Sequence, residues 1–117
     1  MIDFVQRIAP ALICVIVTVI PSTSDASGMD DAERAKAALY QCVAHRIPFV
    51  DDGVTAPAQI GAAAAQLCQK EIDAAALALD QAVGAPAGEG VREAAQEGTV
   101  FATLVLMRRA ALKQRQQ

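Results

Sequence analysis

Residues 56–84 read APAQIGAAAAQLCQKEIDAAALALDQAVG, and this stretch decides the fold. Alanine has the highest helix propensity of any residue, and the stretch has few of the β-branched side chains that favour strands. Thr55 is placed to cap its start, and Pro57 falls in the first turn, where a missing N–H leaves no bond unmade. Ile60, Ala64, Leu67, Cys68, Ala75, Ala78 and Ala82 recur at helical spacing along one face up to Val83. Gly84 is suited to the C-cap. The spacing predicts one long central helix over residues 56–83.

On the N-terminal side, Ser27-Gly28-Met29-Asp30 has the form of a capping box, with Asp30, Asp31 and Glu33 where the helix dipole favours negative charge. Ala32, Ala35, Leu39, Cys42 and Val43 form an apolar stripe, and Pro48 pushes the residue before it out of the helical region. A helix over about 30–47 follows, then a loop with an Asp51-Asp52-Gly53 turn. On the C-terminal side, residues 84–90 (GAPAGEG) read as a flexible turn. A third helix over about 91–113 places Ala94, Phe101, Leu104, Val105 and Leu112 on one face. The expected fold is all-α: a three-helix domain in which an antiparallel hairpin is joined by a C-terminal helix.

Residues 1–26 read as a secretory signal peptide. Arg7 precedes an apolar run from Ile8 to Ile20, and Ser24 and Ala26 supply small residues before a cut. The run is 13 residues long and contains Pro10, short of the roughly 17 to 25 apolar residues that cross a membrane. Ile13 before Cys14 does not fit a lipoprotein signal. The expected working protein is residues 27–117, periplasmic or secreted, with an uncleaved anchor as the alternative.

Export decides what the cysteines do. Cleavage removes Cys14 and leaves Cys42 and Cys68, an even count in an oxidising compartment, which implies an intramolecular disulfide. Cys42-x2-His45 and Cys68-x2-Glu71 superficially offer four metal ligands. In a level antiparallel pair His45 and Glu71 lie one turn to opposite sides of the cysteines, so no metal is expected. A redox-active pair is the other alternative, but such pairs sit at a helix N-terminus, whereas Cys68 reads as mid-helix. Glu71 falls on the apolar face, as does Arg46, and both are candidates for a buried charge. Arg108 is similarly placed.

The inventory for catalysis is thin. In residues 27–117 the only serine is Ser27 and the only histidine is His45, so a nucleophile, base and orienting group have almost nothing to draw on. No catalytic residue and no cofactor is expected. The glycines at 84, 88 and 90 follow no strand and precede no Lys-Ser/Thr, unlike a phosphate loop.

The strongest interaction signal lies near the C-terminus. Val100, Leu106 and Met107 fall off the stripe of the third helix, so residues 100–107 are apolar nearly all round. Arg108, Arg109, Lys113 and Arg115 follow with no acid among them, against a net charge of −6 over residues 27–107. Together these seven residues form the expected contact surface. The candidate partners are a protein, an anionic membrane surface, or a second copy of the chain. Nucleic acid is not expected for a net acidic exported chain with few aromatics.

Tyr40-Gln41-Cys42-Val43 and a single Cys68 in an Ala-rich helix resemble the small, exported helical proteins of bacteria with one cysteine pair in a helical hairpin, over residues 30–80. The resemblance implies a periplasmic address and no particular activity. Small periplasmic acid-stress chaperones are also helical with one disulfide, an analogy that admits a role in envelope stress. The function expected is that of a non-enzymatic periplasmic binding or interaction protein. A membrane-surface protein and a redox-active dithiol protein are the alternatives.

Overall fold

The computed structural model describes residues 26–116. Apart from Ala26, the expected signal peptide lies outside them. The chain is all-α, with helices α1 (Ala26–Val50), α2 (Pro57–Gln66), α3 (Gln69–Val83), α4 (Ala87–Glu97) and α5 (Ala102–Arg115), and a short 3-10 turn, Thr99–Phe101, before α5. There is no strand among the described residues.

The helical hairpin is present and cross-linked. Cys42 on α1 is bonded to Cys68, with their Cα atoms 6.1 Å apart. Its strands of helix run antiparallel, because Gly28 near the start of α1 lies against Ala82 near the end of α3. The expected α1 stripe faces the core, with Ala32, Leu39 and Val43 buried and Ala35 and Cys42 partly so, and Ile47 extends it. The helix runs past Pro48 to Val50, however. Proline removes one bond to the preceding turn. Buried Ile47, whose carbonyl accepts the Asp51 N–H at 2.9 Å, holds the last turn in place.

Each of the two longer expected helices is divided. At the first break the Leu67 and Cys68 N–H groups bond to Ala64 and Ala65, a 3-10 tightening, and Cys68 leaves helical geometry at φ −120° and ψ 36°. No glycine or proline marks this place. The break lets α2 cross the C-terminal part of the chain while α3 follows α1, and it turns Leu67 out to solvent. At the second, Gly98 takes φ 73°, a left-handed C-cap.

Glycine is required at these crossings. A Cβ on Gly98 would stand 2.1 Å from the Ala58 carbonyl oxygen, and one on Gly61 would stand 2.7 Å from the Gly98 carbonyl oxygen. The α2 backbone therefore touches the bend directly. Gly88 and Gly90, expected in a flexible turn, lie inside α4. Gly88 faces the Ala76 carbonyl at a distance no side chain would tolerate, and its N–H donates to Asp80 Oδ1 at 2.6 Å. The Asp80 carboxylate thus supplies one of the acceptors that the start of α4 lacks.

The core is one cluster of mostly small residues, including Ile60, Ala64, Ala65, Ile72, Ala75, Ala95 and Val105 around Cys68. Phe101 is its one fully buried aromatic, and the Tyr40 ring meets it edge-on at 5.2 Å. Alanine brings little transfer free energy per side chain. The close backbone contacts and the covalent link compensate.

Candidate functional site

The two arginines that begin the basic tail are drawn inward. Arg109 Nη2 donates to Asp51 Oδ1 at 2.7 Å and to the Thr55 carbonyl at 2.7 Å, while its Nε lies 3.2 Å from both Asp51 oxygens. Arg108 Nη1 donates to Asp51 Oδ2 at 3.3 Å. The Asp51 side chain is 0% exposed, against 22% for Arg109 and 30% for Arg108. The Arg109 hydrogen bonds hold the Asp51 carboxyl below its ordinary range against the opposing effect of burial, with help from the Gly53 N–H.

This clamp revises the expected contact surface. Arg108 and Arg109 fasten α5 to the loop after α1, so the free cations of the tail are Lys113 and Arg115, which make no ion pair among the described residues. The sequence pattern marks Asp51 as a turn residue. It is that, since its Oδ1 accepts the Gly53 N–H, but its main partners lie more than 50 residues away. The signal available in the sequence was a cationic tail without a single acid. Thr55, expected as the cap of the central helix, instead donates its hydroxyl to Asp52 Oδ2, and Ala56 takes the cap position.

The remaining contact residues divide between two places. Met107, Arg108 and Arg115 border a groove of about 450 Å³ between the end of α1 and α5, with Ile47, Pro48 and Leu112 alongside. Met107 is 63% and Leu106 54% exposed, although Leu106 lies outside the groove. Val100, also exposed, borders a different cavity near the start of α1. Lys113 is exposed beyond the groove.

The cysteine neighbourhood differs from expectation in two respects. Cys68 is the N-cap of α3, not a mid-helix residue, and Glu71 therefore sits in the first turn. The Glu71 carboxylate lies within 4.8 Å of both sulfurs instead of diverging from them. It is half-buried, and His45 and Arg46 border the same shallow depression. With both sulfurs joined to each other, neither is a thiolate able to take a metal. The expected buried charge at Glu71 and Arg46 is also corrected: Arg46 is exposed, and no charged residue is buried as a whole among the described residues. The helix break accounts for Glu71, because restarting α3 at Gln69 turns Ile72 into the core and leaves Glu71 at its rim.

A helix N-terminus lowers the pKa of a cysteine, which suits redox exchange. Two features oppose it here: Cys68 is wholly buried, and the carboxylate of Glu71 disfavours a thiolate beside it. Cys42, half-buried, is the more accessible sulfur.

No helix among the described residues is long and apolar enough to cross a membrane. Comparison of the chain with protein-family models, with curated proteins and with solved structures returns no match.

Proposed function

We propose that this chain is a small, non-enzymatic periplasmic protein that acts by binding another protein through the groove between the end of α1 and α5. The observation that carries the reading is the exposure of Met107 and Leu112 along a groove floored by Ile47 and Pro48. Large apolar side chains left open together on a small protein mark a contact surface. Arg115 at the rim favours a partner with apolar residues flanked by acids.

The alternative of an anionic membrane surface is supported less by the geometry, because the Asp51 clamp neutralises part of the basic tail and leaves two cations, Lys113 and Arg115, to face lipid headgroups. A second copy of the chain would use the same face.

The test combines three measurements on the exported protein. Cross-linking from position 111, on the same groove, should capture a partner in the envelope. Met107→Asp should abolish that capture, while Ala37→Asp, on the exposed side of α1, should leave it intact. Sedimentation with anionic vesicles at low salt, lost on Met107→Asp, would replace this reading with the membrane one. Self-association in analytical ultracentrifugation, lost on the same substitution, would replace it with a dimer.

A further inference from the structure

At the opposite end of the hairpin from the α5 groove, the first turns of α1, the middle of α3 and the start of α4 enclose a cavity of about 400 Å³. Its volume falls in the range of small-molecule sites, roughly 300 to 1,000 Å³. The walls are apolar: Met29 from α1, Leu79 from α3, Val91 from α4 and Val100 before α5. The floor is aromatic, formed by the edge-on pair of Tyr40 and buried Phe101. Leu39, Gly90 and several alanines fill the remaining apolar positions, and the small residues keep the space open.

Charge is confined to two residues of α1. Glu33 and Lys36 are both exposed and both border the cavity, one turn apart, and neither makes an ion pair among the described residues. An anion at the mouth would gain Lys36 but meet Glu33, and a cation would meet the reverse. A neutral group that both donates and accepts hydrogen bonds satisfies the two at once. The apolar interior excludes a charged or strongly hydrated body, because nothing there would replace its water.

We propose that this cavity binds a small amphiphile with an apolar chain or ring system in the interior and an uncharged hydroxyl- or amide-type head between Glu33 and Lys36. The site is independent of the α5 groove, shares no residue with it, and stands or falls separately.

The experiment uses the exported protein and the uncharged fluorophore N-phenyl-1-naphthylamine, displaced in turn by decanol, decanoate and decyltrimethylammonium. Saturable fluorescence at one site is expected, with decanol the best competitor of the three. Ala94→Leu places a larger side chain in the cavity and should weaken probe binding roughly tenfold or more. Ala111→Leu, which fills the α5 groove instead, should leave it unchanged. Circular dichroism and an intact disulfide establish that both variants are folded. Glu33→Gln should shift preference towards decanoate, and Lys36→Gln towards decyltrimethylammonium. Unaltered probe binding by folded Ala94→Leu would overturn the location. A wild-type preference for either charged competitor would overturn the ligand class.

Discussion

Arg109 grips Asp51 through both Nε and Nη2, and with Arg108 it covers the carboxylate side chain completely. One acid from the loop after α1 thereby fixes the last helix of the chain. Removing one partner of a covered ion pair is costly, because the other is left without compensation. Asp51→Ala and Arg109→Ala should each lower the midpoint of urea unfolding at pH 7. The double variant should lose clearly less than the sum of the two, which a double-mutant cycle will read directly.

Acid should loosen the same corner. The folded-state pKa of Asp51 lies below its usual value of 3.8, and that of Asp52 falls to about 2 under the hydrogen bonds of Thr55 and Val54. A lowered carboxylate pKa contributes stability that is full above the unfolded-state value and disappears as pH falls through the folded-state value. The urea midpoint is therefore expected to fall between about pH 4 and pH 2. Asp51→Ala should flatten that fall, and an unchanged profile in the variant would count against the clamp.

Gly53 and Gly98, one before α2 and one packed against it, provide a matched comparison. Gly53 at φ 79° has open space where a Cβ would go, whereas at Gly98, φ 73°, a Cβ would strike the Ala58 carbonyl. Gly53→Ala should cost about 1 kcal/mol from backbone strain alone. Gly98→Ala should cost more than about 3 kcal/mol, since α2 must move as well. Thermal unfolding of the two variants side by side measures the difference.

Reduction should destabilise the protein without being easy to achieve. A cross-link across 26 residues stabilises by about 3.5 kcal/mol in the chain-entropy account. Cys68 is fully buried, so thiols must attack at Cys42 or wait for opening. In glutathione buffer the bond is expected to persist in the folded protein and to exchange readily in urea. Rapid exchange in the folded state would favour the redox-active alternative. Glu71→Gln should then accelerate it further, by removing the charge beside the sulfurs.

Helix class, the cysteine pairing, the α1 stripe and the Gly84 cap were legible because each rests on local chemistry or on counting. The breaks at Cys68 and Gly98 were harder. Gly98 sits in a pattern that continues on both sides, and only the crossing of α2 shows why a glycine is needed there. The residues around Cys68 favour helix throughout, so the break reflects packing of α2 and α3 in different directions, which no local propensity encodes. That single misplacement propagated: it put Leu67 in the core and Cys68 in mid-helix. Of the residues expected to make contacts, only the exposure of the apolar ones was legible. Exposed apolar residues at 106 and 107 follow from the helical pattern, but the capture of Arg108 and Arg109 by an acid in a distant loop does not.

The Cys42–Cys68 link also has a mechanical consequence. A pull applied between the ends of the folded domain travels through that bond and bypasses the 26-residue loop it closes. About 90 Å of extended chain stays out of reach, at roughly 3.3 to 3.6 Å per residue. The loop holds the Asp51 anchor and α2, so a machine that unravels the protein from its C-terminal end would shed α5, α4 and α3 and then meet a knot of doubled chain. Whatever threads the molecule through a narrow pore must first cut that bond.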